Sequence, residues 1–149
     1  MSEQAELEQA AIRLLAIREH SRLELQRKLQ ARTEQPELLQ ELLDRLQAEG
    51  YQSDGRFAEQ YVESRKAKGF GPVRIGRELR ERGVDSVLIE QWLDPHATDW
   101  SALLQSCCRR KFGNAVPGDY RERAKRARFL EYRGFPVEMI RNELWADDI

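Results

Sequence analysis

The chain of 149 residues is short of the residues that build catalytic and metal centres. It holds two cysteines and two histidines. The cysteines are the neighbours Cys107-Cys108, which on a helix point about 100° apart, so a disulfide between them would be strained. They lack the two-residue gap and the companion ligands of a zinc knuckle, and Cys107 reads as buried filler. A reduced, cytoplasmic protein is expected. Neither His20 nor His96 has a nucleophile at a useful spacing, and His20 is expected to be a turn or packing residue. β-Branched residues are few, and no period-two run lies between turn signals, so no strand is expected. No apolar run approaches membrane-spanning length, and the Met1-Ser2-Glu3-Gln4 start has no basic, apolar leader. Gly69-Phe70-Gly71 offers two glycines of a nucleotide loop, but Arg74 stands where the third belongs and no Gly-Lys-Ser/Thr occurs. The carboxylate pair Asp147-Asp148 falls in the tail. The expectation is a non-enzyme with no catalytic residue, no cofactor and no metal.

What the chain does have is a repeated phrase. Glu19-His20-Ser21 leading to Leu29 returns as Gly69-Phe70-Gly71-Pro72 leading to Leu79, and again as Gly134-Phe135-Pro136 leading to Leu144. In each, an aromatic or His and a breaker precede a short helix with apolar residues four apart: Leu25/Leu29, Ile75/Leu79 and Ile140/Leu144. Repetition of one supersecondary unit predicts an elongated stack of modules, which favours binding a long partner.

Periodicity predicts helices near 5–18, 22–32 and from Pro36 to Gly50, the second opened by a Ser21/Glu24 capping box. A second module starts at Ser53-Asp54, turns at Gly69, resumes at Pro72, stops at Gly83 and restarts at Asp85 or Ser86 with Val87, Leu88, Trp92 and Leu93. The third starts near Thr98-Asp99, with helices near 119–133 and 137–146 after a loop at 113–118. The fold class expected is all-α: an elongated, curved array of three tandem three-helix repeats at 1–52, 53–96 and 97–149. The third copy of the phrase lies between the second and third helices of its module, whereas the earlier copies lie between the first and second. Tyr51, Phe70 and Phe135, beside the breakers, are expected to staple helix angles more than to stack on bases.

Charge is segregated although the net value is only -1. Residues 63–82 hold seven cations against three acids, and residues 109–133 hold nine against three. Arg65, Lys66, Lys68 and Arg109, Arg110, Lys111 close corresponding helices, where the helix dipole favours cations as well as a partner would. In the run from Arg121 to Arg128, cations lie near a helix start, where the dipole disfavours them. Arg121, Lys125 and Arg128 share one side there, with Ala124 and Ala127 as a slim packing edge. An anionic partner is expected for these segments, with steep salt dependence if it is a polyphosphate.

The ordered set of these pieces resembles the RecX regulatory protein family. It runs from Leu14-Leu15-Ala16-Ile17-Arg18-Glu19-His20-Ser21 through Gly50-Tyr51, Arg56-Phe57-Ala58 and Lys68-Gly69-Phe70-Gly71-Pro72. It continues at Asp99-Trp100 and Arg110-Lys111-Phe112-Gly113 and ends at Arg128-Phe129-Leu130 and Tyr132-Arg133-Gly134-Phe135. The resemblance implies a regulator, expected as a monomer, that binds RecA filaments on DNA and lowers their ATPase, strand-exchange and co-protease activities. DNA contacted directly or through the filament is the second implied partner, and no membrane is. The residues expected to face RecA or DNA are Arg74, Arg77, Arg121, Lys125, Arg126 and Arg128. Two other readings stay open: a free-standing basic helical DNA-binding module, and a helical adaptor for another protein.

Overall fold

The computed structural model describes residues 2–94, 97 and 99–145. The expectations resting on Pro95, His96, Thr98 and Asp147-Asp148 lie outside the described residues. Among the described residues there are nine α-helices, one 3-10 turn and no strand. They are α1 (Glu3–Ile17), α2 (Arg22–Leu29), α3 (Pro36–Ala48), α4 (Asp54–Ala67), α5 (Pro72–Glu81), α6 (Ser86–Trp92), α7 (Asp99–Phe112), α8 (Tyr120–Arg133) and α9 (Val137–Trp145). None of the described helices is long and apolar enough to cross a membrane.

The described chain divides by contact into two units, Met1–Tyr61 with Leu79–Trp92, and Val62–Glu78 with Leu93–Ile149. This division follows contact density and not sequence periodicity. The modules 1–52, 53–96 and 97–149 remain our proposal for the repeat boundaries.

In the first unit, α1, α2 and α3 bury Leu7, Ala10, Ala11, Leu25, Leu29, Leu39, Leu42, Leu43 and Leu46 in one cluster. At roughly 1.5–3 kcal/mol for each fully buried leucine, that cluster offsets much of the ordering cost of three short helices. The predicted capping box is present. Ser21 Oγ accepts from the Glu24 amide while the Glu24 carboxylate accepts from the Ser21 amide. Ser21 also donates to the Arg82 carbonyl at 2.7 Å, tying α2 to the end of α5. The helix expected over 22–32 stops at Leu29 and finishes as a 3-10 turn, Gln30–Arg32, as terminal turns commonly tighten. Asp85, and not Ser86, opens α6, its carboxylate accepting from the Val87 amide at 2.8 Å. Of the apolar residues expected there, Val87 is exposed, Leu88 and Trp92 are half-buried, and Ile89, not among them, is the buried residue of α6. Leu93, which falls in the second unit, is buried.

The second unit is built around a backbone joint. The α8 helix starts at Asp119, whose side chain accepts from the Glu122 amide, and ends at Gly134 in the left-handed region, φ 97°. Gly134 N–H returns to the Glu131 carbonyl and Phe135 N–H to that of Leu130, at 3.0 and 3.1 Å. Gly69 and Phe70 close α4 in the same way, onto Lys66 and Arg65. The recurring glycine–aromatic pair is thus a helix-ending device of the Schellman type. Its two copies also meet: Gly71 N–H donates to the Arg133 carbonyl at 2.8 Å, and Val73 N–H to that of Gly134 at 2.9 Å. The end of one helix therefore satisfies orphan donors at the start of another. Of the three expected staples only Phe135 is buried in apolar surroundings, at 2% exposure, while Tyr51 is 56% exposed. Phe70 is surrounded by arginines, as described below.

Candidate basic interface

Counting charges by unit resolves the net value of -1. The first unit has ten cations against fifteen acids, -5, and the second has fifteen against eleven, +4. All six residues expected to face a partner belong to the second unit.

Spacing of four, three and seven puts Arg121, Lys125 and Arg128 on one face of α8. All three are exposed there. Lys125 lies 6.0 Å from the centre of the Phe112 ring. Arg121 and Arg128 make no ion pair or hydrogen bond among the described residues. Arg77 is likewise exposed, on α5.

Arg126 is the correction. It is 6% exposed, with Nε 3.3 Å from Glu122 Oε1 and its guanidinium 5.2 Å from the centre of the Phe112 ring. A long stem and a flat head let arginine line a packed surface, so this cation is packed within the unit and is not part of the exposed face formed by Arg121, Lys125 and Arg128. Its spacing of four from the buried Leu130 was the available signal.

Arg74 is also committed internally. Its Nε meets Glu78 Oε2 at 3.2 Å, its Nη1 donates to the Tyr132 carbonyl at 3.2 Å, and it lies over the Phe70 and Tyr132 rings. Arg65 grips the same carboxylate with both Nε and Nη2 at 2.9 Å, and stacks 3.9 Å from the centre of Phe70. Arg133 approaches that ring too, at 4.8 Å. One phenyl ring and one carboxylate thus organise three guanidiniums, an arrangement that spacing alone did not reveal because its members come from α4, α5 and α8. Of the triplet closing α4, Lys66 is bound to Asp99 at 2.8 Å.

The thiols behave as filler. Cys107 and Cys108 are both buried and free. Burial pushes both above the ordinary thiol value, which disfavours the nucleophilic thiolate. His20 is 1% exposed. Its Nε2 lies 2.9 Å from Lys28 Nζ and its Nδ1 3.0 Å from the Arg18 carbonyl. An ammonium only donates, so Nε2 accepts and the proton sits on Nδ1. Burial lowers its pKa, and the Arg18 and Lys28 charges lower it further. Among the described residues no three His, Cys, Asp or Glu side chains gather as metal ligands.

Short helices closed by glycine turns, with an acidic and a basic unit in one chain, define an all-α helical repeat protein with a segregated cationic surface. Family profiles described as the second and third three-helix domains of RecX match residues 53–93 and 98–144. The regulatory protein RecX of Pseudomonas savastanoi pv. phaseolicola is 49% identical over 130 residues, covering 87% of this chain and 84% of that protein. That of Halorhodospira halophila is 45% identical over 139 residues, covering 93% and 86%. A crystal structure of RecX from Lactobacillus salivarius has the same fold, with a TM-score of 0.73 at 22% identity, over 99% of this chain and 98% of that one. The crystal structure of another regulatory protein RecX gives 0.79 at 20%, over 97% and 72%. The chain belongs to the RecX family.

Proposed function

We propose that this chain binds RecA filaments on DNA and restrains them, lowering ATP hydrolysis, strand exchange and co-protease activity. Membership of a family whose relatives are named regulatory proteins supports a regulatory role. The observation that carries the partner is the exposed cationic face of α8, Arg121, Lys125 and Arg128, on a unit of net charge +4. A nucleoprotein filament presents a regular array of phosphates, and an exposed face of cations gains from releasing the counterions condensed on it. Arg77 completes the proposed surface, while Arg74 shapes it from within.

The test is titration of the full chain into RecA turning over ATP on single-stranded DNA. Loss of turnover at substoichiometric chain is expected, and unaltered turnover would refute the proposal. Lys125→Glu with Arg128→Glu is expected to weaken inhibition with the circular dichroism spectrum unchanged. Full inhibition by that variant would remove the α8 face from the surface.

A further inference from the structure

The second unit contains a pocket of about 200 Å³ lined by residues at the ends of α4, α7 and α8. Four cations line it, Lys68, Arg110, Lys111 and Arg133, and no carboxylate does. None of the four has an acidic partner among the described residues. Their contacts are neutral: Arg133 Nη1 to the Lys68 carbonyl at 3.1 Å, Arg110 Nη2 to Ser106 Oγ at 3.5 Å, and Lys111 over the Phe129 ring at 5.6 Å. Four other cations of the same unit do have acidic partners, Arg65 and Arg74 in Glu78, Lys66 in Asp99 and Arg126 in Glu122. The exposed Arg121 and Arg128 of α8 have none among the described residues.

Helix C-termini attract cations without any ligand, and this effect has a size. Each end carries roughly half a negative charge, so three ends answer about one and a half of four positive charges. The remainder is unbalanced, and gathering like charges without an acid costs stability unless an anion arrives. The field reaches the inner wall: burial raises the Cys107 thiol pKa, while the charges of Arg133 and Arg110 pull it back.

We propose that this pocket holds a phosphate group of a nucleic-acid backbone. Two guanidiniums and two ammonium groups, drawn from the ends of three helices, offer more donors than a planar carboxylate can accept and suit a tetrahedral group with several oxygens. The pocket is smaller than the roughly 300–1,000 Å³ that drug-sized ligands and cofactors occupy, so a single small anionic group fits it. Phe129 is no platform for a base. Its ring is in edge contact with Phe112 at 5.4 Å and is approached by Lys111 and Arg133. The site does not depend on the filament reading, since a chain that ignored RecA would still carry it.

The test uses the full chain and no RecA. A fluorescein-labelled single-stranded oligonucleotide is titrated by anisotropy over a salt series, with wild type and with Arg110→Gln/Lys111→Gln. Both positions are exposed, so the fold is retained, which circular dichroism checks. Binding is expected to weaken roughly tenfold at low salt. The slope of log affinity against log salt is expected to flatten by about 0.7 for the one phosphate lost. Arg110→Lys/Lys111→Arg keeps the charge and is expected to bind as wild type. Unchanged affinity and slope in the glutamine variant overturn the proposal. Two further arms identify the source of the anion: inorganic phosphate at fixed ionic strength, followed by the Gly69 and Lys111 amide resonances, and poly-glutamate as competitor. A dependence on Arg110 and Lys111 seen only with free phosphate, or only with poly-glutamate, also overturns the backbone assignment.

Discussion

Gly71→Ala strikes the joint on which the second unit is built. A methyl group at Gly71 would sit 2.6 Å from the Gly134 carbonyl carbon and oxygen and 2.7 Å from the Phe135 amide nitrogen. All three are backbone atoms, so no side chain can swing aside. Either the α5 start moves away from the α8 end or the methyl is absorbed as strain, at roughly 1–3 kcal/mol. Separation also breaks the bond from the buried Gly71 N–H to the Arg133 carbonyl, adding roughly 1–3 kcal/mol for an unsatisfied donor. The cost is about 1–3 kcal/mol if the strain is absorbed and about 2–6 kcal/mol if the helices part, which at roughly 2–4 °C per kcal/mol lowers the Tm on the order of 10 °C. Thermal unfolding followed at 222 nm measures it, with Gly118→Ala as control, since a methyl there meets nothing within 4 Å. A Tm within about 2 °C of wild type would refute the claim that close backbone approach holds these turns together.

Arg126→Ala is expected to act on stability and not on partner binding. Lost packing on Phe112 and a broken pair with Glu122, itself partly exposed and therefore discounted, cost about 1–2 kcal/mol in urea unfolding. Inhibition of RecA turnover by the folded variant should match wild type, and a selective loss of inhibition would contradict the burial argument. The His20 site gives a pH dependence in the first unit. Its folded pKa lies below the ordinary 6.5, so the unfolded chain binds the extra proton first. The stabilisation is therefore full above about pH 6.5 and is lost as pH falls from there towards the folded pKa. Arg18, Lys28 and Glu24 are the charges that act on it. For the Glu24 carboxyl, burial pushes the pKa up, but bonds from Arg18 and the Ser21 amide hold it net below the usual value, so it stays ionised through this window. Urea midpoints at about pH 7.5 and 5.5 should differ, and identical midpoints would sink the assignment. Lys28→Met should move the His20 NMR titration back towards 6.5, with burial keeping it below.

Local chemistry sufficed for the elements. Apolar spacing, the Ser21/Glu24 box, Pro36, Pro72 and the glycines placed all nine α-helices within a few residues, because caps and helix periodicity act over a turn or two of chain. The family was legible too, as an ordered set of short phrases. The role of each cation was not. Arg121, Lys125 and Arg128 form an exposed face as their spacing implies, but Arg126, one step along, turns inward onto Phe112. Glu78 and Phe70 claim Arg65 and Arg74, and Lys68 meets Arg110, Lys111 and Arg133 in one pocket. Sequence determined which segments coil and where they stop. Only the tertiary structure decided which cations are engaged, because the partner stood far along the chain: Asp99 for Lys66, 33 residues on, and the Phe70 ring for Arg133, 4.8 Å away in space.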